Sequence, residues 1–260
     1  MSETSNKPKV VLVFAGHDPT GGAGIQADIE TIAALGGHCC PIITTQTIQN
    51  TESFIQAEAV NPEWIKRQTD HLLKDIKPDA IKIGLITDQK VVEFIAQIIK
   101  LFPHIPIVFD PVLQSGSGSD LSDDRLIKSF QSQLLPLVTI LIPNQNEAKL
   151  LSGKNDLDEA AKDLIKRGCK QVLITGTDVA KDQIEHRHYD QKSLINSLSC
   201  EKVPGTFHGS GCTLSSAIAI KLAQGLDTKT AMTEAHDFTL KAIESGHQIG
   251  KGQKHLNRKI

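Results

Sequence analysis

The sequence contains no Cys-x-x-Cys pair, and its five cysteines, Cys39, Cys40, Cys169, Cys200 and Cys212, are odd in number. Neither a disulfide framework nor a zinc cluster is expected, and the thiols read as reduced in a cytoplasmic compartment. No charge of one sign dominates either: 28 basic against 30 acidic side chains leave a formal charge of −2. That balance offers no basic face for nucleic acid or an anionic membrane, so neither is expected as a partner. No apolar run approaches the roughly 18 residues that span a bilayer. The polar opening Met-Ser-Glu-Thr-Ser-Asn-Lys-Pro-Lys has no signal-peptide core. Two nucleotide fingerprints are missing as well. Gly250-Lys251 is followed by Gly252 rather than Ser or Thr, so there is no Walker A loop, and the first glycine-rich stretch lacks the third glycine of a Gly-x-Gly-x-x-Gly turn.

What is present is a regular alternation. The 260 residues suit one α/β domain, 1–260, with residues 1–8 and the polar segment 247–260 expected as mobile tails. Val10–Phe14, Ala80–Ile86, Ile105–Phe109, Val138–Ile142 and Gln171–Thr175 are short apolar runs of the kind buried on both faces of a parallel sheet, and Pro41–Ile48 joins them. Between them, Ile25–Leu35, Pro62–Ile76, Gln89–Leu101, Arg125–Leu134, Glu147–Leu151 and Glu159–Lys166 have helical spacing. Ile184–Tyr189 and Leu194–Val203 predict an antiparallel hairpin, and Gly211–Ala223 and Lys229–Ser245 two closing helices. The pattern predicts a mainly parallel central sheet with helices on both faces.

Ligands of such sheets bind at the carboxyl ends of the strands, and four segments bring chemistry there. Ala15–Asp28 is glycine-rich and ends in Asp28, one turn into a helix, where a carboxylate could accept a bond from a substrate. Asp110-Pro111-Val112 places a carboxylate at a strand end, suited to Mg²⁺. Pro143-Asn144-Gln145-Asn146-Glu147 reads either as a capping box or as a support for a hydrated cation. His208-Gly209-Ser210-Gly211-Cys212-Thr213 opens a helix with small residues. Its unpaired amides and helix dipole suit the charge on a transferring phosphoryl group, and the same field would lower the Cys212 thiol. His186 and His188 alternate on one strand face, which reads as a solvated hairpin face before a metal site.

Together, Ala15-Gly16-His17-Asp18 through Gly21-Gly22-Ala23-Gly24-Ile25-Gln26-Ala27-Asp28, Ile48-Gln49-Asn50-Thr51, Ile81-Lys82-Ile83-Gly84-Leu85, Asp110-Pro111-Val112, Pro143-Asn144-x-x-Glu147 and His208-Gly209-Ser210-Gly211-Cys212-Thr213 resemble, in order, the motifs of the hydroxymethylpyrimidine/phosphomethylpyrimidine kinases, a ribokinase-like family of thiamin biosynthesis. The resemblance runs from Val10 to Ala242. It implies a ribokinase-like fold, ATP and Mg²⁺ as cofactors, a small pyrimidine as substrate, and a homodimer. It further implies that Gly16, Asp28 and Gln49 bind the pyrimidine and that Asp110 and Glu147 organise the metal and phosphates. Asn144, Thr175, Gly209 and Gly211 face ATP in this reading. Gly209, Ser210, Gly211 and Cys212 form the catalytic anion hole, with Cys212 as proton acceptor.

The chain departs from the family twice. Gly116 stands where the family has Lys after Asp-Pro-Val, and Leu173-Ile174-Thr175-Gly176-Thr177-Asp178 has Thr175 for a second Lys and Asp178 for a His. Lys82, Lys251 and Lys254 are the candidates to compensate. The nearest alternative is a pyridoxal or pyridoxine kinase of the same fold. A sugar kinase would require Asp at position 212. A thiol hydrolase pairing Cys212 with His208, or a silent pyrimidine-binding protein, are readings of other classes. Ser115–Asp120, rich in Ser and Gly, is the candidate lid.

Overall fold

A computed structural model describes residues 7–114, 121–180, 182–191 and 193–260. The lid candidate Ser115–Asp120, with Gly116, lies outside the described residues, as do residues 1–6 of the first expected tail.

In chain order the strands are β1 (Val10–His17), β2 (His38–Gln49), β3 (Phe54–Ala59), β4 (Ala80–Ile83), β5 (Ile107–Phe109), β6 (Ile140–Leu141), β7 (Gln171–Ala180), β8 (Gln183–Tyr189), β9 (Leu194–Glu201), β10 (Phe207–His208) and β11 (Lys254–His255). The α-helices are α1 (Gly24–Ala34), α2 (Pro62–Leu72), α3 (Gln89–Lys100), α4 (Asp124–Ser129), α5 (Gln145–Ser152), α6 (Leu157–Lys166), α7 (Ser210–Ala223) and α8 (Thr228–Glu244). Nine strands form one sheet in the order β3-β2-β1-β4-β5-β6-β7-β8-β9. The six from β2 to β7 run parallel, and β3, β8 and β9 are antiparallel additions at the two edges. This is the α/β arrangement, a mainly parallel sheet with helices on both faces, that the alternation predicts, and it agrees with the ribokinase-like fold that the resemblance implies.

Period-two alternation divides the core. Val10, Leu12 and Phe14 of β1 point into one layer with α2 through α6, whereas Val11, Val13 and Ala15 point into the other with α1, α7 and α8. On β4, Ile81 and Ile83 join the first layer and Ala80 the second. Lys82, two residues on from Ala80, faces the second layer as well. There it is fully buried and bonds Asp28 of α1.

Several boundaries differ from the sequence reading. The helix expected over Arg125–Leu134 is α-helical only to Ser129 and continues as a π-turn, Phe130–Leu134, and a 3₁₀ turn, Leu135–Leu137, around Pro136, which has no N–H to donate. Strand β3 is absent from the sequence reading, because its residues are only half buried and carry no clean apolar alternation. The segment 247–260 is not a free tail. β11 pairs with β10, and His255, Leu256 and Arg258 are buried.

Candidate active site

The parallel strands end at one rim, and the candidate residues collect there. The glycine-rich loop after β1 is shaped by Asp18, whose carboxylate accepts bonds from the Thr20 and Ala23 amides (2.8 Å each), the Thr20 hydroxyl and the His208 ring (3.0 Å). Burial would raise this carboxyl, but those bonds, with His208 the largest, hold it down at about 2. Gly24 is in the left-handed region (φ 57°), and a side chain there would run into the Gly16 carbonyl. His208 is thus engaged by Asp18 rather than by Cys212, and the thiol-hydrolase pairing has no geometric support.

Helix α7 supplies the anion site. Its N-cap is Gly209, left-handed at φ 88°, and no side chain caps it. The first intrahelical bond runs from the Thr213 amide to the Gly209 carbonyl (2.9 Å). The amides of Ser210, Gly211 and Cys212 therefore have no helical acceptor. A methyl group on Gly211 would lie 3.9 Å from Asp110 Oδ2, so these amides open beside the carboxylate at the end of β5. Asp110 in turn accepts a bond from the Ser215 hydroxyl, 3.1 Å away and one turn along α7.

Glu147 answers the question left open by its sequence. It is the N3 residue of a true capping box, in which the Glu147 amide donates to Asn144 Oδ1 (3.0 Å) and Glu147 Oε2 accepts from the Asn144 amide (2.8 Å). Its Oε1 accepts from the Leu113 amide at 3.3 Å, beside Asp110. Burial, then the Asp110 charge, push Glu147 up to about 8. Burial likewise raises Asp110, against the pull of Lys82 and Ser215. Among the described residues no three His, Cys, Asp or Glu side chains are placed to hold a metal ion. Asp110 and Glu147 form a pair instead. Two buried, mutually repelling carboxylates fit a divalent cation that completes its shell with water and phosphate oxygens.

A cavity of about 620 Å³ opens from the α7 N-terminus. Of the four residues expected to face ATP, Asn144, Thr175 and Gly211 line it and Gly209 does not, and Ser210 lines it as well. Its far wall is apolar and aromatic, with Leu240 and Ile243 of α8 and the edge-to-face pair His186–His236, 5.2 Å between centroids. His186 therefore lines this cavity rather than a solvated hairpin face. Its Nδ1 accepts from the Gly176 amide (3.1 Å), and burial followed by the charge of His236 lowers it to about 4. His188 is buried beneath, bonded to Gln171 at 2.8 Å.

On the other side of the glycine loop, Gln49 donates to the Thr47 hydroxyl (2.8 Å), which donates to the His17 carbonyl (2.8 Å) next to Gly16. A recess of about 80 Å³ there is shared by Gln49 and His208. Asp28 is placed differently from an open substrate ligand. It is fully buried, with Oδ1 bound to Lys82 Nζ (2.9 Å) and Ser216 Oγ (2.6 Å). Its Oδ2 is buried without a partner, so in this arrangement no Asp28 oxygen is open to a substrate.

Two sequence expectations meet opposing effects. Desolvation pushes the partly covered Cys212 thiol up to about 12, with the Lys82 charge pulling the other way, so burial opposes the lowering expected of the helix field. Of the compensating lysines, Lys82 is committed to Asp28. Burial would lower it, but Asp28, with Cys212 and Asp110, outweighs that and raises it above its ordinary value. Lys254 lies 5.8 Å over the Phe207 ring. The sequence reading missed Ser215 and Ser216, whose signal was helical spacing from Cys212, and Arg258, which had no local signal.

The family model described as phosphomethylpyrimidine kinase matches residues 18–257. A hydroxymethylpyrimidine/phosphomethylpyrimidine kinase of Synechococcus elongatus is 38% identical over 252 residues, covering 94% of this chain and 95% of its own. Among solved structures, the pyridoxal kinase of Staphylococcus aureus in complex with ADP superposes with a TM-score of 0.88 at 26% identity, covering 97% of this chain and 94% of its own. A phosphomethylpyrimidine kinase from Clostridium difficile 630 gives 0.78 at 30% identity, covering 90% and 99%. With its motifs gathered at one rim of a ribokinase-like sheet, the chain belongs to the hydroxymethylpyrimidine/phosphomethylpyrimidine kinase family.

Proposed function

We propose that this protein transfers the γ-phosphoryl group of ATP to 4-amino-5-hydroxymethyl-2-methylpyrimidine phosphate, giving the diphosphate, and to the free hydroxymethylpyrimidine, giving the monophosphate, for thiamin biosynthesis. The observation that carries this reading is the uncapped start of α7, opening beside Asp110 onto a cavity large enough for a nucleotide.

Phosphoryl transfer asks for in-line positioning and charge stabilisation more than covalent work. The amides of Ser210, Gly211 and Cys212 donate to the oxygens of the group in flight. Asp110 and Glu147 would hold Mg²⁺, which when bound neutralises phosphate charge. Asn144 and Thr175 border the phosphates, and the His186–His236 wall faces the base. Gly16 and Gln49 receive the pyrimidine, and Asp28, fully buried, holds Lys82 and Ser216 in place. The two acceptors differ in their protons. The monophosphate attacks through an oxygen that is already ionised, so a neutral Cys212 does not slow it. The alcohol must lose a proton, and Cys212 is a poor acceptor while its thiol stays near 12. The monophosphate is therefore the better substrate.

The pyridoxal kinase alternative has one observation in its favour, the closer superposition on the Staphylococcus aureus enzyme. Purified protein supplied with ATP, Mg²⁺ and either pyrimidine, or pyridoxal, separates the two. Pyrimidine diphosphate as product supports the proposal; pyridoxal 5′-phosphate with no pyrimidine product reassigns it. The same reading takes the protein as a cytoplasmic homodimer. No helix of the described residues is long and apolar enough to cross a membrane. Ile48 and Ile55 lie exposed at the β3 edge, and sedimentation equilibrium tests the pairing.

A further inference from the structure

The carboxy-terminal segment reaches the turn after Gln49, the glycine-rich loop and the start of α7. The Gln253 amide donates to the Thr51 carbonyl (2.8 Å) and the Gly252 amide to the Thr51 hydroxyl (3.2 Å), at the turn after Gln49. Lys254 and His255 pair with Phe207 and His208, the two residues that lead into Gly209. Arg258 follows and is almost wholly buried. Its Nη2 donates to the Gly22 carbonyl (2.5 Å), its Nε to the Thr213 hydroxyl (2.9 Å) and its Nη1 to Glu30 (3.1 Å). Thr213 Oγ1 then donates to the Gly209 carbonyl at 2.8 Å.

One guanidinium thus joins the glycine-rich loop, helix α1 and the first turn of α7. The fit is tight. A side chain at Gly209 would run into the Gly22 carbonyl and would lie 2.9 Å from Arg258 Nη2. The left-handed Gly209, which sets the direction of the free amides, has no capping side chain of its own to hold it. A planar fork with fixed donor directions can fix two backbone segments against each other, which a flexible ammonium cannot.

We propose that Arg258 is a positioning residue for phosphoryl transfer: it fixes the amides of Ser210 to Cys212 relative to the glycine-rich loop, and the segment 252–258 acts as a clasp over the site rather than as a tail. The inference rests on the kinase reading for its kinetic consequence but not for its structural one. A misplacement of about 1 Å in such a site costs roughly 100-fold in rate.

The test uses the full-length Arg258→Met and Arg258→Lys proteins beside wild type, with ATP, Mg²⁺ and the pyrimidine monophosphate. The expected result for Arg258→Met is a kcat lower by about 10- to 100-fold with KM for the pyrimidine within about threefold, and partial recovery in Arg258→Lys, which can keep one of the three bonds. Hydrogen exchange read in parallel should accelerate within residues 209–213 in Arg258→Met, at the Thr213 amide whose bond to the Gly209 carbonyl is the first of α7, while the rest of α7 is unchanged. Unaltered kcat and unaltered exchange at 209–213 overturn the proposal. So does faster exchange spread over the whole chain with a kcat loss equal to the unfolded fraction, since that describes a merely structural arginine. Absence of turnover in wild type, with exchange still altered only at 209–213, refutes the kinase reading and leaves the clasp standing.

Discussion

Replacing Lys82 by methionine removes the cation from a fully buried pair. Lys82 Nζ lies 2.9 Å from Asp28 Oδ1, and both side chains are 0% exposed. After the substitution Asp28 keeps one bond, from Ser216 Oγ at 2.6 Å, while Oδ2 has no partner to take up the charge. Breaking a buried pair from one side costs about 3–5 kcal/mol, because an uncompensated charge stays behind. That is a large part of the roughly 5–15 kcal/mol that holds a domain folded. At about 2–4 °C per kcal/mol for a chain of this size, the midpoint should fall by between about 6 and 20 °C. Far-UV circular dichroism, on heating for the midpoint and in urea for the free energy, is the assay, since the one tryptophan, Trp64, is 57% exposed and reports poorly on the core. Adding Asp28→Asn to the same chain should recover most of the loss, because the carboxamide still accepts from Ser216 and no charge remains buried. A Lys82→Met protein within about 1 kcal/mol of wild type, or a double variant no better than the single one, would refute the reasoning.

Thr175→Lys restores a cation to the cavity wall at a position whose hydroxyl makes only a 3.5 Å contact to the Pro143 carbonyl, and should lower KM for ATP about tenfold in steady-state kinetics, one charge-assisted bond's worth. Cys212→Ala should reduce turnover of the free hydroxymethylpyrimidine more than that of its monophosphate, measured on both substrates, because only the alcohol must surrender a proton. Site-resolved alkylation should find Cys212 slower than a free thiol at pH 8, by roughly three decades if access is equal, as befits a thiol pushed up to about 12. His186 and His188 are both held near 4 by burial, below their unfolded value. Below pH 6.5 the unfolded chain binds more protons than the folded one. Stability should then be full above pH 6.5 and decline progressively as pH falls toward 4, and His188→Gln should flatten that part of a urea-midpoint profile.

What the sequence made legible was the part governed by local rules. The apolar runs of β1, β4 and β5 announce strands buried on two faces, and Gly209-Ser210-Gly211 announces a helix start with nothing to cap it. The cavity brings together Asn144, Thr175, Ser210 and Gly211, which the motifs had named across widely separated stretches of chain. Lys82 carried a usable signal: a lone Lys within Ala-Ile-Lys-Ile must be buried if the run is a central strand, and a buried Lys needs an acid. The acid could not be chosen from sequence, since Asp28 is 54 residues away. Arg258 gave no signal at all. It sits in a polar stretch, and its partners Gly22 and Glu30 lie 236 and 228 residues back. For the Cys212 thiol the sequence showed only the dipole of a helix start, a local property, whereas the desolvation that pushes the thiol up depends on the whole fold.

How the site accepts a polyanion also depends on charges that the whole fold brings together. Around the α7 N-terminus lie the acids Asp28, Asp110 and Glu147 and two buried cations, Lys82 and Arg258. Asp28 and Lys82 cancel, and Arg258 is paired with Glu30. The remaining pair is buried and repulsive enough that Glu147 is raised to about 8. Left alone, that pair disfavours phosphate oxygens, and the amides of α7 offset only a partial charge. The family's second lysine position is occupied here by Thr175, so no side chain at that point supplies the difference. On the proposed reading a cation arriving with the nucleotide would meet the balance, which would account for acids rather than bases at the strand ends of a site built for phosphate. Nucleotide affinity in this chain should therefore depend on divalent cation more steeply than in a Thr175→Lys variant, where part of the neutralisation is covalently present.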